Sequence, residues 1–325
     1  MSKTNQKSKT LIPSGVWCIA VVVILFGYLG TVMGVPNMLN TIMKTAHDLL
    51  LNTVFYLMSI CVITGALGRV FVEFGVVALL ERTLRPLMRP IFNLPGVTSL
   101  GAVMTFLSDN PAIISLANDK RFASYFKKYQ FISLTNFGTA FGMGLLVIVF
   151  MASQGYYAAP LIGFIGACCG CVCSTRLMQR FVLKAYPQYA VEDAVSKEDI
   201  EEEVKEENES TEKTVFIRLL NAMLDGGRSG VDVGIAIIPG VLIISTFVMM
   251  FTFGPAADGT YNGAAYQGVE LLPWLANKID FVFEWLFGFH DPHLVAFPIT
   301  ALGAVGAALG LIPGFVSHGW IDGNA

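Results

Sequence analysis

The segment between Arg82 and Lys128 constrains the fold of this chain more than any other part of the sequence. An apolar stretch lies there between two basic clusters, which are Arg82, Arg85 and Arg89 before it and Lys120, Arg121, Lys127 and Lys128 after it. The stretch runs from Ile91 to Ala117, and about 20 apolar residues suffice to cross a bilayer once. A single crossing would place one basic cluster on each side of the membrane. Because Lys and Arg are concentrated on the cytoplasmic side, a single crossing is disfavoured.

The apolar stretch is also interrupted in its middle by Ser108, Asp109, Asn110 and Pro111. Proline removes a backbone donor and disfavours the α conformation of the residue before it, and a carboxylate against lipid is costly. We therefore predict a re-entrant helical hairpin over residues 91–118, which enters from the cytoplasm and turns near the midplane. Irregular backbone at that depth is tolerated only inside protein or beside a water-filled cavity. The turn is thus predicted to belong to a solute or ion site.

The composition predicts an all-α polytopic membrane protein. The 325 residues are 54% hydrophobic and only 14% charged, which excludes an ordinary soluble domain. Residues 185–214 contain eleven acidic residues and three lysines, so they carry −8 and leave +5 for the rest of a chain whose net charge is −3. This positive excess predicts a basic cytoplasmic rim. We expect a multi-pass protein of a prokaryotic cell membrane, with its N-terminus and acidic segment in the cytoplasm.

Four regions are predicted from the order of apolar, amphipathic and charged segments. They are 1–48 (N-terminal tail, first membrane anchor and outer loop), 49–184 (first repeat), 185–214 (acidic, solvated cytoplasmic linker) and 215–325 (second, incomplete repeat). Membrane spans are predicted at 16–35, 49–68, 131–153, 160–178 and 231–253. Interfacial amphipathic helices are predicted at 70–92, 215–228 and 269–289.

The two repeats are predicted to lie in the membrane with opposite orientations. Each contains a span, an amphipathic helix and a short apolar hairpin, at 91–118 in the first repeat and 291–313 in the second. An offset of 195 residues places Thr105 on Thr300, and charge bias puts the first copy on the inner face. Inverted repeats form a site near the midplane where broken helices meet. Because the second hairpin lacks the two spans that follow the first, we expect a longer natural chain or helices from a partner.

The polar residues of the first hairpin are the strongest candidates for a binding site. Asp109 could bind Na⁺, exchange a coupling proton or pair with a cationic solute, while Ser108 and Asn110 offer neutral donors and acceptors. The structural alternative for Asp109 is a cap on the helix that follows. Thr135 and Asn136 could complete the site from the next span, or form interhelical hydrogen bonds.

Thr300 is a further candidate for the site, and Thr105 and Asp225 are lower-ranked candidates; each of the three has a structural alternative. Thr105 and Thr300 occupy equivalent places in the two hairpins, but each could bond only to its own helix. Asp225, beside a glycine pair, is a weaker candidate for the site than for a helix cap.

Two further clusters contain metal-ligating residue types. The cysteines between Cys168 and Cys173 are predicted to be small buried apolar residues, because four thiols on one helix cannot converge on one ion. The cluster His290-Asp291-His293 is interpreted as polar interface residues, with a weak metal or pH-sensing site as the alternative. No resident metal site is predicted.

Two sequence patterns resemble the Gate, or nucleoside-recognition, domain family. They are LRPLMRPIFNLPG at 84–96, followed by a hairpin, and LLNAMLDGGRSGVDVGIAIIPG at 219–240. The family includes domains of concentrative nucleoside transporters, the ferrous iron transporter core and spore-maturation membrane proteins. The resemblance covers roughly 49–313 and implies a hairpin-bearing transport domain. The turn at 108–110 matches neither the Gly-Gln-Thr-Glu type of nucleoside carriers nor the cysteine-bearing hairpin of iron passage, so the resemblance leaves the substrate open.

The predicted function is secondary-active transport of a small polar solute, coupled to Na⁺ or H⁺ at the hairpin tips and without a cofactor. A nucleoside-like solute is one option. The alternatives are a non-transporting membrane scaffold or partner protein of the spore-maturation type, and a metal-ion permease. The expected partners are the solute and the lipid bilayer, with a homo-oligomer left open and no nucleic acid. No phosphate-binding loop, zinc-protease motif or nucleophile elbow occurs, so an enzyme is not predicted.

Overall fold

A computed structural model describes residues 8–108, 111–195 and 214–322 of the chain. These residues form helices and contain no β-strand. Within them, five helical stretches are long and apolar enough to cross a membrane, namely Ser14–Met33, Val35–Glu73, Lys128–Ser153, Ala159–Ala185 and Val215–Thr252. The predicted all-α membrane fold class is therefore confirmed. The inverted repeat and the re-entrant placement of the hairpins stay predictions.

The helices are numbered in chain order. In the first half they are α1 (Ser8–Met33), α2 (Val35–Asp48), α3 (Phe55–Glu73), α4 (Val76–Leu87), α5 (Thr98–Leu107), α6 (Pro111–Asn118), α7 (Lys120–Ala123), α8 (Lys128–Phe141) and α9 (Gly144–Ser153). In the second half they are α10 (Ala159–Ala185), α11 (Val215–Pro239), α12 (Thr246–Thr252), α13 (Leu271–Ala276), α14 (Asp280–Phe287), α15 (Ala296–Gly303) and α16 (Val305–His318). Short π-helical segments occupy Leu49–Val54, Met88–Phe92 and Gly240–Ser245.

The chain divides into two compact units, each with its own interior. The inserted unit contains residues Val54–Ile237, and the terminal unit contains Met1–Thr53 and Ile238–Ala325. This grouping cuts across the predicted repeats at 49–184 and 215–325, whose boundaries stay predictions.

In the inserted unit, α5 and α6 form a helical hairpin. A Cβ atom added to Gly101 of α5 would lie 2.4 Å from Cδ1 of Ile113 of α6, so the two helices are in close contact. Ser108 ends α5 with φ −126° and ψ −110°, outside the helical region. The helix break expected at this position is present. Its depth in a membrane stays a prediction.

A buried amide fixes the chain before the hairpin to the helices behind it. Gln179 of α10 is 3% exposed. Its Nε2 donates to the carbonyl oxygen of Phe92 at 3.1 Å and to the hydroxyl of Ser133 at 3.2 Å, and its oxygen accepts from Asn93 at 3.0 Å. Phe92 also packs edge-on against Phe137 of α8, with ring centroids 5.1 Å apart. The start of the hairpin is thus held by both polar and aromatic contacts.

In the terminal unit, α1, α2 and α12 surround a small apolar core that includes Leu29 and Met250. The loop after α12 is fixed to α2 by hydrogen bonds. Asn37 donates to the carbonyl oxygen of Tyr261 at 2.6 Å, and the backbone N–H of Tyr266 donates to the hydroxyl of Thr45 at 2.9 Å. Helices α15 and α16 are separated by a single extended residue, Ala304, with φ −163° and ψ 130°.

Several boundaries differ from the predicted ones. Residues 36–48, predicted as a loop, form most of α2, because Pro36 lies in the first helical turn, where its missing N–H is not needed. Residues 215–228, predicted as a separate interfacial helix, continue without a stop through α11 to Pro239. The predicted helices 70–92 and 269–289 are each divided. The first is divided at Gly75, whose φ of +75° is left-handed.

Candidate solute-binding site

A cavity of about 350 Å³ with polar groups in its wall lies at the end of α5 in the inserted unit. We call it the Ser108 cavity. Three helices, α3, α5 and α11, supply its lining residues, which are Gly65, Gly68, Arg69, Val72, Met104, Leu107, Ser108, Asp225, Gly226 and Ser229. A void of about 20 Å³ borders Ser108 and Ser229 and extends to Leu146 of α9. The cavity volume lies within the range of small-molecule sites.

Glycines bring α3 and α11 into backbone contact beside this cavity. A Cβ atom added to Gly226 would lie 2.3 Å from the carbonyl oxygen of Gly65, and one added to Gly230 would lie 2.3 Å from that of Cys61. Gly234 makes a similar approach to α3 one turn further along. The i, i+4 spacing of these three glycines puts them on one helix face, where small residues permit close packing. These glycines therefore allow the backbone of α11 to pack directly against that of α3.

Arg69 and Asp225 bring opposite charges to the wall of the Ser108 cavity. The Cβ atom of Arg69 lies 2.7 Å from where a Cβ on Gly226 would be, so Arg69 lies beside the residue that follows Asp225. Across the same two helices, Glu73 and Arg218 form an ion pair at 2.8 Å. Arg69 and Asp225 have no ion-pair partner within the described part of the chain. The cavity thus offers one cation and one anion that these residues do not neutralise.

Two helix interruptions lie in this part of the inserted unit, and one of them, at Ser108, lines the cavity. Besides the break at Ser108, the predicted continuous span 131–153 is interrupted between α8 and α9, where Met143 has a left-handed φ of +59°. Phe106 of α5 packs here, because a Cβ on Gly144 would lie only 2.4 Å from its Cδ2. Broken helices leave backbone groups unpaired, and in membrane proteins such breaks border water-filled cavities or sites.

The structure brings two of the predicted site residues into one cavity. Ser108 and Asp225 line the same cavity, although they are 117 positions apart in the sequence. Asp109 and Asn110 lie outside the described residues.

Thr135 and Asn136 are not brought to Ser108. Thr135 lines a different groove of about 520 Å³ together with Asn118 of α6. Asn136 donates to the carbonyl oxygen of Ser174 at 3.4 Å, which matches the interhelical alternative.

Thr105 and Thr300 both bond within their own helices. Thr105 is fully buried and donates to the carbonyl oxygen of Gly101 at 2.6 Å. Thr300, in the terminal unit, is equally buried and donates to the carbonyl oxygen of Ala296 at 2.7 Å. Each hydroxyl is thus satisfied a few residues before a helix break, and neither lines the Ser108 cavity.

The residues with metal-ligating side chains are arranged differently from the prediction. Cys171 is buried, but Cys169 and Cys173 are exposed, so the expectation of uniformly buried cysteines is wrong for that face of α10. His293 contacts Asp291 through Nδ1 at 2.6 Å and stacks on Trp320 at 3.9 Å. The described residues contain no group of three or more His, Cys, Asp and Glu side chains placed to hold a metal.

The start of the acidic linker is not free in solution. Lys127 pairs with Asp193 at 2.7 Å, and Lys128 pairs with Glu192 at 2.7 Å. Backbone hydrogen bonds reinforce both pairs, because the N–H of Lys128 donates to the carbonyl oxygen of Glu192 at 2.9 Å and that of Ala194 donates to Phe126 at 3.0 Å. This part of the linker is exposed to solvent but is fixed to the start of α8, and the solvated linker stays a prediction. Residues 196–213 lie outside the described chain.

A larger cavity of about 630 Å³ also lies in the inserted unit, between α4, α5 and α10. Apolar side chains such as Leu84, Phe106 and Phe164 line it. It offers almost no donors or acceptors, so a polar solute would lose its hydrogen bonds to water there. The Ser108 cavity is the better candidate despite its smaller size.

Sequence reasoning missed Arg69, Ser229 and the glycines of α11. The predicted span 49–68 ends just before Arg69, and the predicted interfacial helix 215–228 ends just after Gly226 and Gly227. The available signal was the regular spacing of Gly226, Gly230 and Gly234 with charged residues between them. That spacing is typical of a membrane helix that packs closely on another.

Comparisons with known proteins identify a domain in the same region. Residues 54–155 match the family model Gate, described as nucleoside recognition. The match begins where the inserted unit begins and includes the cavity-lining residues of α3 and α5, whereas α11 lies beyond it. No curated protein and no solved structure was found to match the chain. The Gate family is associated with the movement of nucleosides and ions across membranes. Residues 54–155 of this helical membrane protein therefore match the nucleoside-recognition Gate domain.

Proposed function

We propose that this protein is a secondary-active transporter of a small polar solute and that the Ser108 cavity is its binding site. One observation carries the proposal: a helix break, an arginine and an aspartate meet at a cavity of about 350 Å³ within the unit that contains the Gate domain. Charged residues in membrane helices are costly and usually mark substrate or ion pathways.

Asp109 is the proposed coupling residue. It follows Ser108 directly in the sequence, and Ser108 lines the cavity. A carboxylate beside a solute site can bind Na⁺ through its oxygens or exchange a proton with the cytoplasm. Coupling of either kind would drive the solute against its gradient without a cofactor.

The two hairpins are proposed to enter the membrane from opposite faces, as an inverted repeat requires. The similar internal geometry of the two hairpins supports the repeat itself. Each contains a short helix with a fully buried threonine bonded to its own backbone, followed within four residues by a non-helical residue, Ser108 or Ala304.

Uptake by the purified protein in liposomes tests the proposed function. Liposomes with an inward Na⁺ or H⁺ gradient should accumulate at least one labelled compound from a panel of nucleosides, amino acids and organic acids. Asp109→Asn should abolish gradient-driven accumulation, because the amide cannot release a proton and binds Na⁺ more weakly than a carboxylate.

Asp258→Asn is the matched control. It makes the same chemical change in the loop between α12 and α13, where Asp258 accepts hydrogen bonds from the hydroxyl and the backbone N–H of Thr260 at 2.8 and 3.0 Å. Uptake should be unchanged in this variant. Wild-type uptake equal to that of empty liposomes for every compound and both gradients would contradict the proposal and favour the scaffold alternative.

A further inference from the structure

We infer that the solute is zwitterionic, with one amino group and one carboxylate as in a free amino acid. This inference rests on the proposed function and adds a substrate class to it. The inference is based on two observations. Arg69 and Asp225 line one cavity, and neither has an ion-pair partner in the described chain.

Other charges on α3 and α11 form an ion pair across the contact between these helices. The two helices cross with Gly65 against Gly226. Toward the end of α3, Glu73 and Arg218 form a complementary ion pair at 2.8 Å. Arg69 and Asp225 lie on the same two helices but face a void of about 350 Å³. Glu73 and Arg218 thus neutralise each other outside the cavity, whereas Arg69 and Asp225 at the cavity form no ion pair within the described residues.

The two fixed charges determine which solutes they would favour. An amino acid would place its carboxylate on the Arg69 guanidinium and its ammonium group on the Asp225 carboxylate, forming charge-assisted hydrogen bonds at both ends. A monovalent cation or anion would satisfy only one of the two. A neutral solute would displace water from both groups without pairing either, and a site built for charged partners strongly rejects compounds that lack them.

Neutral groups and size restrict the solute further. Ser108 and Ser229 offer hydroxyl donors and acceptors in the same cavity wall as the charged residues, and Gly226 also lines the wall. The volume of about 350 Å³ is near the lower end of small-molecule sites. A compact dipolar solute fits this wall better than a large or hydrophobic one.

Competition in the liposome uptake assay tests the inference. The probe is a ¹⁴C-labelled mixture of the standard amino acids, and the competitors are unlabelled amino acids, their N-acetyl derivatives, their amides, and uridine. Wild-type protein should accumulate the mixture, and only competitors with both charges should reduce uptake strongly. Derivatives that keep a single charge should compete at least about 10-fold more weakly, because each charged hydrogen bond contributes about one decade of affinity or more.

Variants separate the two ends of the solute. Asp225→Asn should reduce amino-acid uptake at least about 10-fold and equalise competition by amino acids and their N-acetyl derivatives. Arg69→Gln should do the same for amino acids and their amides. Asp232→Asn, on α11 but outside the cavity wall, should leave uptake within about 2-fold of wild type. Size-exclusion elution of each variant checks that it is folded.

The outcomes distinguish this inference from the proposed function. Uptake of uridine or another uncharged solute, with no competition from amino acids in wild-type protein, would overturn the inference and leave the transporter proposal standing. Because this result comes from wild-type protein, it does not depend on whether a variant folds. Absence of any gradient-driven uptake would overturn both.

Discussion

Alanine at Gly230 should destabilise the inserted unit, whereas alanine at Gly227 on the same helix should not. A Cβ on Gly230 would lie 2.3 Å from the carbonyl oxygen of Cys61 and 2.6 Å from the Cα of Val62, both backbone atoms. A Cβ on Gly227 would meet only a side-chain methyl group of Val62, at 3.6 Å. Ordinary contact begins near 3.4 Å, so α11 and α3 would have to separate by about 1 Å in the first case only.

The expected size of the effect follows from this difference. Replacing glycine by alanine inside a helix gains about 1 kcal/mol of helix propensity at either position, so that gain cancels in the comparison. Overpacking costs about 1–3 kcal/mol, and the upper end applies because backbone atoms cannot rotate away. Gly230→Ala should therefore be less stable than Gly227→Ala by about 3 kcal/mol, the upper end of this range.

Thermal unfolding of the two purified variants in the same detergent measures this difference directly. Gly230→Ala should unfold at a clearly lower temperature than Gly227→Ala. Equal unfolding temperatures would refute the argument, because they would mean that the helices are not in backbone contact at the crossing.

Two further predictions concern the polar contacts of the inserted unit. Gln179→Met should lower the free energy of unfolding by about 1–3 kcal/mol, because the buried Phe92 carbonyl and Ser133 hydroxyl would lose a partner; an unchanged thermal unfolding temperature would contradict this. Asp193→Asn should cost less than about 1 kcal/mol, because its ion pair with Lys127 is partly exposed. It should nevertheless speed proteolysis of the acidic linker at low salt, and about 1 M NaCl should remove the difference from wild type. Equal cleavage rates at low salt would show that the pair does not hold the linker.

The fold class could be predicted because it depends on local properties. Long apolar stretches predict membrane helices, and a proline after polar residues predicts the break at Ser108. The partner of each helix depends on side-chain volume at positions far apart in the sequence. Thr135 and Ser108 were expected to share a site because they lie in adjacent elements, but they line separate cavities.

The glycines of α11 have a different structural role from the one that their sequence pattern suggests. Gly226 and Gly227 suggest a helix stop, because glycine is a poor helix former. In α11 they lie inside a continuous helix, where Gly226 and Gly230 contact α3. The contact with α3 therefore outweighs the low helix propensity of glycine. Because α11 is continuous through Gly226 and packs on α3, Asp225 lies in the cavity wall.

Whether the break at Ser108 opens to a water-filled cavity is tested most directly by thiol labelling. In a background with the six native cysteines replaced by alanine, Ser108→Cys and Thr105→Cys are compared with a water-soluble maleimide. Ser108 lines the cavity, whereas Thr105 is fully buried one turn earlier in α5. The account predicts rapid labelling at position 108, slowed by amino acids, and little labelling at 105. Equally slow labelling at both positions would contradict it.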